Sequence, residues 1–301
     1  MFWKRSLSLQ ARETRDAYIG LLPFLLGFVI FTAGPLIYSF YLSFTRYDIL
    51  SAPRWSGFEN YARMASGDDT LWQSLRVTVI YTLVAVPVHV IVGYAMALLL
   101  NLKVKGLSFW RTAFYMPAVV PAMAVAYVFS WMLQSDVGLI NQSLRAIGLP
   151  GPKWFGDPNW VLAAFILMSA WAVGGTLLLY LSALQGVPTE LYDASKVDGA
   201  NAWRRFLNVT LPMTSPVIFF VFLTGMIGTF QVFTVAFVTT NGGPGEASLF
   251  YLLYLYRTGW EYLQMGYAAA MAWLLFVILL VITLLSLRLS RTTVFYEGAQ
   301  E

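Results

Sequence analysis

The residues that could do chemistry in this chain are unevenly spread. Six charged side chains, Glu190, Asp193, Lys196, Asp198, Arg204 and Arg205, fall in one stretch, ELYDASKVDGANAWRRFLNVTLP at 190–212, and the long apolar runs on either side carry none. His89 is the one titratable side chain of note inside such runs. Ion-coupled carriers commonly keep an ionisable residue at membrane depth to bind and release the coupling ion, yet no Asp, Glu, Lys or Arg occupies the centre of any run here. The plain reading of His89, which follows Pro87, is a neutral imidazole donating to a carbonyl rather than a proton relay. A phosphate-cradling nucleotide loop requires a Gly-Lys pair, and the sequence has none. With no cysteine there is no thiol nucleophile, thiolate ligand or disulfide. The expectation is a non-catalytic chain with no metal and no cofactor, whose energy for uphill transport would come from another subunit.

The charged stretch reads as a docking device. Pro188 and Thr189 end the preceding run, Thr189 is expected to cap a new helix, and Glu190 and Asp193 lie in its first turn, where the helix dipole favours acids. Leu191, Ala194 and Val197 recur at helical spacing. Asp198-Gly199 then supplies a turn, because glycine tolerates the positive φ that ends a helix. Asn201 is expected to cap a second short helix carrying Trp203, Phe206 and Leu207, before Leu211-Pro212 opens the next run.

The elements that must hold this loop follow from composition. A mean hydropathy of +0.66, with 58% hydrophobic and 11% charged residues in a chain of 301, lies far outside the range of a soluble domain. A helix crossing the hydrocarbon core needs about 20 apolar residues. Charge-free runs lie between Asp16 and Arg46, Arg76 and Lys103, Arg111 and Asp136, Asp157 and Glu190, Arg205 and Glu246, and Glu261 and Arg288, so an all-α membrane protein with six transmembrane helices is expected. ASLFYLLYLY at 247–256 is too short to cross and reads as interfacial or re-entrant. Basic residues are retained on the cytoplasmic side. Lys4, Arg5, Arg12 and Arg15, then Lys103, Lys105 and Arg111, the 190–212 loop, and finally Arg288 and Arg291 share one side, which places both termini and that loop in the cytoplasm. The implied layout is a cytoplasmic tail at 1–17, a first span at 18–45, an extracytoplasmic loop at 46–73, a permease core at 74–288 with its loop at 188–212, and a tail at 289–301. The first run is too long for a signal-peptide core and lacks a cleavage pattern. The net charge of +4 follows from topology and calls for no nucleic acid. No internal repeat or separate soluble domain is visible.

The loop resembles the EAA loop of ATP-binding cassette (ABC) importer permeases, E-A-A, three residues, G, nine residues, I, one residue, L-P. The matching positions are Asp193-Ala194-Ser195, Gly199, Val209 and Leu211-Pro212, with Asp for Glu, Ser for the second Ala and Val for Ile. The stretches at 21–48, FENYARM (58–64), 109–132, TNGGPGEAS (240–248), GYAAAMAWLLF (266–276) and the terminal FYEG resemble the carbohydrate permeases, of the maltose and glycerol-3-phosphate type. The resemblance implies a type I importer permease fold with a cytoplasmic coupling helix. It also implies a second permease, an ATPase dimer, an extracytoplasmic solute-binding protein and a sugar or polyol solute, in the cytoplasmic membrane. The family's coupling role falls on Glu190, Leu191, Asp193, Ala194, Val197 and Gly199.

Sugars require hydrogen-bonding groups and an aromatic face in a cavity with few polar residues. The fourth run offers Ser169, Trp171, Gly174, Gly175 and Thr176, and the fifth Gly225, Thr229, Phe230, Gln231 and Phe233. The resemblance points to Ser169, Trp171, Ala172, Gly175, Gly225 and Thr229; Gln231 joins them because an unpaired amide is costly in lipid. Close helix packing is an equally good account of the small residues. TNGGPGEAS reads either as an outward turn or as a docking point for the binding protein. An ion-coupled secondary carrier and a membrane scaffold without transport are the rival readings.

Overall fold

The computed structural model describes residues 9–102 and 105–295. The readings of Lys4, Arg5 and Lys103, most of FYEG and the outer parts of both tails lie outside them. The chain forms two compact units, one containing the residues up to Gly67 with Thr258–Leu275, the other Asp68–Arg257 with the residues from Phe276 on.

In the first unit α1 (Leu9–Phe28) runs through a π-turn at Val29–Ala33 into α2 (Gly34–Leu42). Glu13–Leu42 is 30 residues long and apolar, and none of that apolar window is buried in protein. Such a surface is stable where lipid is the solvent. The following connection is more ordered than its sequence suggests. Strand β1 (Thr45–Arg46) pairs antiparallel with β2 (Arg54–Trp55), and α3 (Glu59–Ser66) closes the hairpin. Buried Asn60 donates from Nδ2 to the carbonyls of Ser43 (2.8 Å) and Thr45 (2.9 Å), and Phe44 packs on Trp55, Phe58 and Tyr61. The Arg46 guanidinium grips both carboxylate oxygens of Glu59. That hydrogen-bonded pair holds the Glu59 carboxyl below its ordinary range.

The second unit is built on α4 (Asp69–Leu100), capped by Asp68, whose side chain accepts from the Leu71 N–H at 2.9 Å. There follow α5 (Leu107–Tyr115), a 3₁₀ turn at Met116–Val119, α6 (Ala122–Met132), α7 (Leu139–Ala146), α8 (Val161–Trp171) and α9 (Gly174–Gln185). Next come α10 (Thr189–Val197), α11 (Ala202–Arg205), a π-turn at Phe206–Thr210, α12 (Leu211–Phe230), α13 (Thr234–Thr239) and α14 (Tyr251–Tyr256). The last helix, α15 (Met265–Thr293), begins in the first unit and ends in the second. Helix α4 packs along α8, α9 and α12. Its Tyr94 and Ala97 share a core with Leu177, Tyr180, Leu181 and Val221, and the Tyr94 hydroxyl meets Thr214 Oγ1 at 2.7 Å.

Among the described residues, four helical segments are long and apolar enough to cross a membrane, and six crossings result only if each of two bent pairs counts as one. The third charge-free run is broken by 99° between Val119 and Ala122, where Pro117 and Pro121 withhold N–H donors from the helix. The fourth bends by 49° between Trp171 and Gly174, a break without proline beside two successive glycines. Glycine costs a helix about 1 kcal/mol relative to alanine.

The stretch at 247–256 is not an interfacial surface. Ser248, Leu249, Phe250, Tyr251 and Leu253 are buried, and Phe250 meets Tyr81 and Phe165 edge to face. Its short helix enters protein because its polar groups find partners there: the Tyr251 N–H donates to Thr78 Oγ1 (2.9 Å) and the Tyr254 hydroxyl to Asp68 (2.8 Å). Thr78→Val removes that acceptor while keeping the side chain's shape. It is expected to lower stability by about 1–3 kcal/mol, read as a reduced unfolding midpoint in detergent, and Thr78→Ser is expected to recover most of the loss.

Candidate functional site

The charged stretch folds into two short helices around an elbow. Helix α10 starts at Thr189 with Pro188 in the cap position (φ −56°, ψ 132°), so Thr189 lies one residue inside the helix and makes no capping bond. Proline's extended backbone occupies the cap position, and its side chain offers no acceptor to the first-turn N–H groups. At the other end Gly199 has φ +73°. The Gly199 N–H donates to the Lys196 carbonyl (3.0 Å) and the Ala200 N–H to that of Ser195 (2.9 Å), a Schellman pair that satisfies two terminal carbonyls. Asn201 caps α11 as its sequence predicts, accepting from the Arg204 N–H at 2.8 Å. The Tyr192 hydroxyl meets Thr210 Oγ1 at 3.0 Å and ties α10 to the root of α12.

Glu190, Leu191, Asp193, Ala194, Val197 and Gly199 are all exposed, and Val197 is 88% so. Leu191 and Ala194 border a hollow of about 540 Å³ shared with Ser195, Asp198, Arg204 and Arg205, and Val197 points elsewhere. Asp193 pairs with Lys196 at 2.7 Å, but both side chains are largely exposed, and such surface pairs contribute little. The loop therefore offers apolar tips and unburied charges together, as a surface that another protein covers would.

Two cavities lie among the apolar helices of the same unit. The larger, about 440 Å³, is lined by Ser169, Ala172, Gly175 and Thr176 from α8, α9 and the bend between them, with Tyr81 and His89 from α4. The smaller, about 150 Å³, is lined by Gly225 and Thr229 of α12 with Ala85 and Val86, and His89 and Ser169 border both. Five of the seven expected solute contacts thus gather here. Trp171 and Gln231 do not: Trp171 packs edge to face on Phe129 beside a separate apolar hollow, and Gln231 is exposed where α12 ends.

Ser169 Oγ donates to the Ile166 carbonyl (2.8 Å) and Thr229 Oγ1 to the Met226 carbonyl (3.0 Å), so on both the lone pairs remain as acceptors, while the Thr176 hydroxyl lies within reach of the Val173 carbonyl (2.9 Å) and of His89 Nε2 (3.2 Å). No charged residue lines either cavity. Such walls suit an uncharged solute rich in hydroxyl donors. His89 Nδ1 lies 3.3 Å from the Ser169 carbonyl oxygen, the partner type its sequence context suggests, and Nε2 lies 3.2 Å from Thr176 Oγ1.

TNGGPGEAS forms a knotted turn with Asn241 and Glu246 at positive φ. Ser248 Oγ donates to the Gly243 carbonyl (2.5 Å) and meets Thr240 Oγ1 (2.7 Å).

Residues 72–293 match the family described as the binding-protein-dependent transport system inner membrane component. The chain is 38% identical to the probable ABC transporter permease protein YesP of Bacillus subtilis (strain 168), over 99% of this chain and 97% of that protein. It is 32% identical to the sulfoquinovosyl glycerol transport system permease protein SmoG of Agrobacterium fabrum, over 96% and 94%. Its fold is similar to a chain of a bacterial alginate ABC transporter crystallised with an alginate pentasaccharide-bound periplasmic protein (TM-score 0.80, 23% identity, 94% of this chain and 97% of that one). With the family matched over most of its length, the chain belongs to the inner membrane components of binding-protein-dependent transport systems, the permease subunits of ABC transporters.

Proposed function

We propose that this permease imports an oligosaccharide, sugar or polyol derivative by alternating access, driven by ATP hydrolysis in a partner ATPase dimer. The observation that carries the reading is the pair of uncharged cavities in which the Ser169 and Thr229 hydroxyls are oriented as acceptors. The relative named for sulfoquinovosyl glycerol and the alginate transporter of like fold support a glycan as solute, though both of those solutes carry acid groups that the walls described here do not pair. In this reading each bent pair is a single crossing, giving six spans in the cytoplasmic membrane with both termini and the 188–212 loop inside.

The partners follow from the same reading. A second homologous permease closes the pathway, and a solute-binding protein docks outside, at the turn containing Glu246. Glu190, Leu191, Asp193, Ala194, Val197 and Gly199 enter a cleft of the ATPase. Ser169, Ala172, Gly175, Gly225 and Thr229 contact the solute. Trp171 and Gln231, exposed on this chain's own surface, would meet it only where the second permease folds the pathway over them.

The reading is tested by purifying the chain from its native membrane with its partners and measuring uptake into proteoliposomes. Uptake abolished by ATP depletion and indifferent to ionophores supports it; uptake that follows an ion gradient and ignores ATP replaces it with a secondary carrier. Ser169→Ala and Thr229→Val are each expected to raise the apparent KM about fivefold, the equivalent of one hydrogen bond of about 1 kcal/mol. An unchanged KM in both removes them from the pathway. A Cβ at Gly199 meets nothing within 4 Å, so Gly199→Ala bears only the backbone cost of a left-handed residue, about 1–2 kcal/mol. Asn tolerates that conformation, so uptake should fall in the order wild type, Gly199→Asn, Gly199→Ala, Gly199→Arg. Full uptake in Gly199→Arg would contradict the coupling role.

A further inference from the structure

We propose that His89 is the positioning residue that clamps the bend between α8 and α9, so that movement of the coupling helix α10 is delivered to the cavity wall. The inference rests on the importer reading above and assigns that reading a residue. The interruption at 172–173 leaves α8 with terminal carbonyls that lack i+4 donors. Ser169 O receives only the strained i+3 bond from the Ala172 N–H (3.2 Å) within its own segment. His89 spans the gap: Nδ1 faces Ser169 O in the last turn of α8, and Nε2 faces Thr176 Oγ1 in the first turn of α9. A carbonyl oxygen only accepts, so Nδ1 carries the proton, Nε2 is left as an acceptor, and the Thr176 hydroxyl donates to it, turning from the Val173 carbonyl 2.9 Å away.

The surrounding sequence makes room for this contact. Gly93 lies one turn along α4 from His89, and a Cβ there would stand 3.2 Å from both Thr176 Oγ1 and the Tyr180 ring. The bare glycine lets α9 lie against α4 without that tight contact, at the distance where Thr176 reaches the imidazole. Helix α9 ends at Gln185, and three residues later α10 begins. A displacement of α10 therefore pulls on a helix whose far end is held at the two cavities that His89 borders. With the clamp in place the bend moves as one body with the helix; without it, the 172–173 segment absorbs the motion.

The chain has no cysteine, so Ala172→Cys places a single thiol of this subunit at the bend. In proteoliposomes of the assembled transporter, its labelling by a charged maleimide is followed with and without ATP. With His89 intact, ATP is expected to change the labelling rate about fivefold or more. His89→Leu and His89→Asn should each reduce that response to less than about twofold, since Leu has neither nitrogen and the Asn amide has no atom in the place of Nε2; Thr176→Ser, which keeps the hydroxyl, should retain the response. An undiminished response in His89→Leu overturns the proposal, as does a loss in Thr176→Ser equal to that in Thr176→Val, which would assign the effect to side-chain volume. If His89→Leu does not assemble, Thr176→Val decides instead, since it keeps the shape and loses the bond: a weakened response supports the clamp and a full one overturns it. No response to ATP with His89 intact is a separate result, and it would remove the importer reading together with the clamp.

Discussion

A helix in hydrocarbon must satisfy its own backbone, and every interruption has to be closed by something nearby. The second unit contains two bent helix pairs and closes their breaks differently. At the sharper break the chain uses proline, which has no N–H to leave unmatched, and a 3₁₀ turn that shortens the hydrogen-bond reach. At the shallower break it borrows partners across helices, with His89 between the Ser169 carbonyl and the Thr176 hydroxyl. The same rule explains α14, a helix too short to cross, whose first N–H is taken by Thr78 and whose Tyr254 hydroxyl reaches Asp68. The last two closures draw on α4 and its cap, and α4 is the helix against which α8, α9 and α12 pack.

The distribution of polarity follows from this constraint. At the two cavities, the Ser169 and Thr229 hydroxyls and the His89 imidazole each reach a backbone carbonyl, so they add hydrogen-bonding surface without leaving a charge in lipid. Outside the bundle, charge collects on the loop between α9 and α12, where Asp193, Lys196 and Arg204 are exposed. The loop's shape does not depend on those charges. It depends on the Gly199 elbow, the Asn201 cap and the Tyr192–Thr210 contact, which leave the charged and apolar tips unburied for a partner. A rigid loop joined to a cavity-lining helix by three residues is a mechanical arrangement.

The sequence by itself determined what short-range chemistry controls. Lipid as solvent is legible in the charge-free runs, because transfer free energy is a property of composition. The elbow is legible because a helix stop at Gly199 and a cap at Asn201 involve only neighbouring residues; the Thr189 cap slipped by one position because the preceding proline is itself extended enough to fill that place. Tertiary structure decided everything set by helix rotation and distant partners. The charge-free pattern cannot say which side of an all-apolar helix faces a cavity, so Trp171, one residue from Ala172, turns to Phe129 while Ala172 lines the wall. The burial of 247–256, the hairpin held by Asn60, and the contacts of His89 with residues 80 and 87 positions away all depend on bonds between segments that no local pattern encodes. Side chains in a bundle are oriented by packing against neighbouring helices, and a single span carries no record of its neighbours.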